Sequence, residues 1–296
     1  MSTLLITGAS GHLGRRVAEL LLDAGRHRIV LATRTPAKLA DLAARGALVR
    51  AADFDDPASL ATAFAGVDRL LLVSTDAIDQ PGRRLAQHRA AITAAAQAGV
   101  RHIVYTSLTN AVPGSIMSLA PDHAQTEQAL AASSLGWTVL RNNLYADNLL
   151  PALGFAVATG KLRTASGSGA IAYVTREDCA RTAAAALAST ETANRTLDIA
   201  GPAALTSADV AALVTKVTGR TVTHVPVPAD VLRAGLTQAG LPAALIDALV
   251  TFDLAAARGE LDPVSPAITQ LTGRPPTSVA DFLNAHRAQL APPSLA

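Results

Sequence analysis

Three glycines, Gly8, Gly11 and Gly14, stand at even spacing in the stretch TGASGHLG (7–14). The first permits a tight turn out of a strand, the second lets backbone approach a phosphate closely, and the third lets a helix pack against the sheet. Their surroundings fit that use. The apolar run TLLIT (3–7) reads as a buried strand, and HLGRRVAELLLDAG (12–25) has apolar residues at helical spacing and stops at a glycine. A glycine turn between a first strand and a first helix is where a pyrophosphate settles on a helix N-terminus. Gly8, Ser10, Gly11, His12, Leu13 and Gly14 are therefore expected to hold a dinucleotide.

The end of the next strand, RIVLATR (28–34), bears on which dinucleotide. A site for the unphosphorylated form places Asp or Glu about 20 residues past the glycines. Thr33 and Arg34 stand there instead. The planar fork of Arg34 suits a 2′-phosphate, with Lys38 one helical turn on, so NADPH is expected ahead of NADH. The alternative is a surface arginine stacked on adenine without discrimination. Asp53 and Phe54 follow the third strand, where the adenine should lie, although Phe54 is equally suited to a core. Ser74 and Thr75 end the fourth strand beside the nicotinamide-side ribose. Thr106 and Asn142, at the ends of the fifth and sixth strands, complete the expected cofactor set.

The elements that must position these residues alternate. Strands at 3–7, 28–34, 47–53, 67–75, 100–108 and 137–143 are separated by helices at 12–25, 35–46, 56–66, 83–99 and 122–136. Thr35 is the expected N-cap of the second helix, with Pro36 in its first turn. This alternation predicts an α/β fold, a doubly wound, mainly parallel Rossmann sheet over residues 1–150. Residues 151–296 are expected to form a smaller, substrate-covering lobe, with a strand near 195–200 added to the edge of the main sheet. LAPPSLA at the end reads as a loose tail.

Bulk properties exclude several classes. The formal net charge of +2 is too small to argue for nucleic acid or an anionic membrane. No apolar run is long enough to span a bilayer, and no secretory leader is evident, so a cytoplasmic location is expected. Cys179 is the single cysteine; no zinc spacing occurs and no metal is expected. Cys179 reads as a small buried hydrophobe, and Asp178 as a structural residue at a helix start.

Short-chain dehydrogenases commonly use a Tyr-x-x-x-Lys pair, in which the lysine lowers the tyrosine pKa for proton transfer. The lysines are Lys38, Lys161 and Lys216, and the residues four before them are Arg34, Val157 and Ala212. In DHAQTEQAL (122–130), His123 falls at the tyrosine-like position and Glu127 at the lysine-like one. His123 is a candidate proton donor; the alternative is a solvent-exposed histidine in a first helical turn.

The segments ITGASGHLG, TRTPAKLADLAARG, YTSL, HAQTEQAL, TVLRNNLYADNLL and TGRPPTSVADFL, in this order, resemble the NmrA-like atypical branch of the short-chain dehydrogenase/reductase superfamily. Within that branch the chain is most similar to the subgroup of NAD(P)H:quinone oxidoreductases and triphenylmethane dye reductases, from residue 3 to about 290. The resemblance implies hydride transfer from NADPH to a quinone or similar conjugated small-molecule acceptor, catalysed mainly by orientation. It places Asn143 and Tyr145 near nicotinamide and substrate. Ser107 is a candidate hydrogen-bond partner for a substrate oxygen, or else only a strand-end hydrogen bond. Two other readings stay open: a dinucleotide-binding redox sensor without turnover, and a reductase of another C=N, C=C or C=O substrate. The chain is expected to be a monomer or homodimer.

Overall fold

The computed structural model describes residues 1–290; residues 291–296, most of the expected tail, lie outside it. The first strand, β1 (Thr3–Ile6), leads through the glycine turn into α1 (His12–Ala24), followed by β2 (Arg28–Thr33). A 3₁₀ turn at Pro36–Leu39 and the short α2 (Ala40–Ala44) reach β3 (Leu48–Ala51), and α3 (Pro57–Phe64) reaches β4 (Arg69–Leu72). Then come α4 (Arg83–Gln97), β5 (His102–Leu108), α5 (Ala120–Ala131) and β6 (Gly136–Asn142). The chain continues through α6 (Leu149–Thr159), β7 (Lys161–Thr164), β8 (Ala170–Ile171), α7 (Arg176–Ala188) and β9 (Arg195–Ile199). After these follow β10 (Leu205–Thr206), α8 (Ser207–Thr218), β11 (Thr223–Pro226) and α9 (Ala229–Gln238). The last helices are α10 (Ala243–Ala257), α11 (Ala267–Thr272) and α12 (Val279–Ala285).

Seven strands form one sheet in the order β3-β2-β1-β4-β5-β6-β9, every pair parallel. The order reverses between β1 and β4, so a crevice opens there beyond the carboxyl ends of the strands. Both faces are covered, because alternate residues point to opposite sides. Leu4, Ile6, Leu31 and Val104 pack under α1 and α7. Leu5, Val30, Leu72, Tyr105 and Val139 pack under α3, α4 and the end of α5. The edge strand expected near 195–200 is β9, hydrogen-bonded to β6.

The region expected as one helix over 35–46 differs. Thr35 makes no side-chain cap, and the segment splits into the 3₁₀ turn and α2. The hydroxyl of Thr33 accepts the Thr35 N–H instead, which tightens the chain as it leaves β2. The second half of the chain builds a separate apolar cluster from α6, α8, α10 and α12, around Leu153, Val214, Ala255 and Phe282. Two small sheets brace it, β7 parallel to β11 and β8 antiparallel to β10. No described helix is long and apolar enough to cross a membrane.

Candidate active site

The glycine turn has the shape its spacing implies. Gly8 sits at φ +59°, where side chains other than glycine are strained. A Cβ on Gly14 would lie 2.5 Å from the Gly8 carbonyl oxygen and 2.9 Å from its carbon, so α1 can start this close to β1 only with glycine there. Gly11 caps α1 without a side-chain bond, and its own N–H is taken by the Gly8 carbonyl. Among the described residues, no acceptor takes the backbone N–H groups of His12, Leu13 or Gly14. These are the unpaired donors of a helix N-terminus, and they suit a phosphate. Leu13 contributes only backbone here, since its side chain is buried in the core. The Ser10 hydroxyl is tied to that of Thr33 at 2.9 Å.

Beyond β2, Arg34 and Lys38 are exposed, and neither side chain has a hydrogen-bond or ion-pair partner among the described residues. The neighbouring Arg15 is different: it is paired with Asp41, 2.7 Å away. Two free cations at the end of β2 fit a 2′-phosphate. Beyond β3, Asp53 accepts the Asp55 N–H and so shapes its own loop. Phe54 is half-buried against the core beneath α3 and α4, which favours the packing alternative for that ring.

A cavity of about 960 Å³ opens beyond β4, β5 and β6. Ser74, Ser107, His123, Asn142 and Tyr145 line its inner end, with Leu108 and Leu144 beside them. Helices α6, α9 and α10 enclose the rest through residues such as Phe155, Leu232 and Phe252. No residue of α9 is fully buried, although Val231, Leu232 and Leu236 face the cavity. The helix is therefore a wall that presents its apolar side to the cavity.

Hydrogen bonding separates the residues at the inner end. Ser107 donates to Glu127 at 2.6 Å, and Glu127 is held from the other side by Arg141 at 2.7 Å. A carboxylate only accepts, so the Ser107 proton is committed and its oxygen is left to accept a bond from a ligand. Of the two readings of Ser107, a bond to a substrate oxygen or a strand-end hydrogen bond, the Glu127 bond fits the second. Thr106 accepts the Ser74 N–H and braces β4 against β5. The Asn143 side chain donates to the Leu261 carbonyl and accepts the Leu144 N–H. It is 2% exposed and borders the cavity beside Asn142, and both of these bonds clamp backbone.

His123 is neither exposed nor poised as an acid. Arg84 donates from Nη2 to its Nε2 at 2.9 Å, which leaves the proton on Nδ1, where the Tyr105 hydroxyl receives it at 2.8 Å. Burial and the Arg84 charge hold its pKa well below the ordinary histidine value. His88 is similarly fixed between the Thr75 N–H and the Thr126 hydroxyl, and burial followed by Arg84 pushes it down to about 3. Both imidazoles are therefore neutral near pH 7. Arg84 is 5% exposed, and among the described residues its Nε and Nη1 have no partner. Sequence reasoning missed this network, because RRLAQHR (83–89) shows there only as the start of a helix over 83–99.

Tyr145 keeps its proton. Burial raises its pKa above the ordinary phenol value, and it accepts from Asn142 at 3.1 Å, so its O–H remains available to a ligand. Arg176 stacks over its ring at 5.6 Å while bonding Asp147. Among the described residues the buried oxygen of Asn142 has no partner, so it can accept a bond at the same end. As expected, Cys179 is buried and Asp178 structural, accepting from Thr277 N–H and the Thr175 hydroxyl.

Comparison with known proteins gives this arrangement its relatives. A curated quinone oxidoreductase of Escherichia coli is 39% identical over 94% of this chain and 96% of its own length. The solved structure of the NADPH-dependent quinone oxidoreductase of Escherichia coli, complexed with NADPH, covers 96% of this chain and 99% of that one. Its identity is 38% and its TM-score 0.91. The triphenylmethane reductase of Citrobacter sp., solved with NADP(H), is 32% identical with TM-score 0.89, over 95% of this chain and 99% of that one. The NmrA-like family profile matches residues 1–283. A glycine cradle that only Gly14 can close, a nearly invariant backbone shape shared with these structures, and a profile match along nearly the whole chain have one common explanation: the chain belongs to the NmrA-like family.

Proposed function

We propose that this protein is an NADPH-dependent oxidoreductase that reduces quinones or similar conjugated acceptors. The observation that carries this reading is the inner end of the cavity. It offers a neutral phenol as hydrogen-bond donor and no side chain poised to titrate near pH 7. A quinone suits such a site, because conjugation stabilises the reduced anion and the demand for a general acid is small. The similarity to a quinone oxidoreductase and a dye reductase supports the same acceptor class.

NADPH, when bound, supplies the hydride. The chain's own residues do the rest. The N–H groups of His12, Leu13 and Gly14 hold the pyrophosphate, and Arg34 with Lys38 holds the 2′-phosphate. The Ser107 oxygen accepts a bond, suiting a ribose hydroxyl or carboxamide N–H. Tyr145 donates to an acceptor oxygen. Leu108, Leu144 and Phe252 keep water from the reacting face, and fixed geometry supplies most of the catalysis. Neither a Tyr-x-x-x-Lys pair nor a protonated His123 is needed.

Steady-state assays with naphthoquinone test this reading. Nicotinamide absorbance should fall far above background with NADPH. Tight NADPH binding without turnover of any quinone, dye or activated imine would instead mark a sensor. In the same assay Arg34→Ala should lower kcat/KM for NADPH by about 10- to 100-fold, the worth of a charge-assisted hydrogen bond. NADH efficiency should barely change, and an equal loss with both cofactors would refute the assignment of Arg34.

A further inference from the structure

The unpaired charges that line the cavity are of one sign. Asp147 is the one carboxylate among its lining residues, and it is consumed by the Arg176 guanidinium at 3.0 Å and the Arg176 N–H at 2.8 Å. On the opposite wall, Lys161 and Arg163 also line the cavity. Both are exposed, and neither side chain has a hydrogen-bond or ion-pair partner among the described residues. They stand two apart on β7, so strand alternation puts them on one face. Leu162 and Thr164 point the other way: Leu162 is buried in the lobe core, and Thr164 bonds Ser207 and His224. Behind the inner wall, the Arg84 charge is buried with no carboxylate partner among the described residues. Most of the remaining lining is apolar, including Ile78, Phe155, Leu232 and Phe252.

We infer that the cavity selects acceptors whose apolar conjugated body carries a carboxylate or sulfonate, with Lys161 and Arg163 supplying the counter-charge at the outer wall. The inference rests on the proposed reduction of conjugated acceptors and narrows it. It also separates this protein from a reductase suited to cationic dyes, since a fixed cation would meet Lys161 and Arg163 at the wall and no free carboxylate. The pair lies on the lobe, away from the glycine turn and from Arg34, so its role is distinct from holding the dinucleotide phosphates.

Binding and turnover test it together. NADP⁺-loaded protein is titrated with naphthalenesulfonate and with its neutral isostere naphthalenesulfonamide, and kcat/KM is compared for naphthoquinone sulfonate and naphthoquinone. The sulfonates should be favoured about fivefold at low salt, as two exposed charge contacts allow, and the preference should shrink as salt screens them. The double substitution Lys161→Met, Arg163→Met should bring both ratios close to one while leaving the affinity for NADPH in place. Equal affinities in the unaltered protein would overturn the inference, as would a preference that survives the double substitution or tighter binding of a cationic triarylmethane dye. The failures are distinguishable. If no quinone is turned over, the proposed reaction falls, and the titrations still decide the charge preference.

Discussion

Replacing Gly14 with alanine is expected to weaken NADPH binding by at least about 100-fold, the scale on which a displacement of an ångström at a positioned site is felt. The added Cβ would meet the Gly8 carbonyl oxygen at 2.5 Å, the Gly8 carbonyl carbon at 2.9 Å and the Ala9 Cα at 3.1 Å. All three are backbone atoms and cannot swing aside, so α1 must move off β1. That movement carries the His12 and Leu13 N–H groups away from the phosphate position. Overpacking of this kind should also cost about 1–3 kcal/mol of stability. Gly11→Ala is the graded control, since its Cβ would meet only the Gly8 carbonyl oxygen, at 3.3 Å. Fluorescence titration with NADPH and thermal melts of both variants are the measurements. Affinities within twofold of each other would show that the approach of α1 to β1 does not set the phosphate site.

The second large effect concerns His123 and is counter-intuitive for a histidine facing a cavity. His123→Ala should destabilise the protein by about 2–3 kcal/mol, because it removes the one recorded partner of a charged donor that is 5% exposed. Adding Arg84→Met should recover part of that loss, since the stranded charge goes with it. Denaturant midpoints of the two single variants and the double variant form the cycle. Strict additivity would mean that Arg84 finds another partner and that the imidazole is not its anchor.

The elements legible in the sequence were those with strong local signals. Apolar runs located β1 to β6, the first closed by Gly8 and each of the others preceded by the glycine that ends a helix, and the Arg195–Ile199 run located the edge strand. Gly8, Gly11 and Gly14 located the phosphate turn because glycine spacing reports backbone geometry directly. The small sheets escaped because β7 and β11 have four residues each and pair across a gap of about 60 positions. Side-chain roles were least legible. Asn143 and Tyr145 stand two apart after one strand, yet one clamps backbone and the other presents a free O–H. Ser107 was visible at a strand end, but Glu127, which takes its proton, is held by Arg141 from a neighbouring strand. Arg84 in RRLAQHR carries no mark that distinguishes it from the less buried Arg83 and Arg89; only tertiary packing buries it.

The central claim is that orientation, not a titrating acid, drives reduction in this cavity. Single-turnover consumption of NADPH with excess naphthoquinone, followed from about pH 5 to pH 9, tests it most directly. His123 and His88 are held neutral and Tyr145 is held protonated throughout that window, so the account predicts a flat profile. Deuterium at the transferred position should slow the rate at every pH. A sigmoidal fall with rising pH, centred in the ordinary histidine range and abolished by His123→Gln, would contradict it.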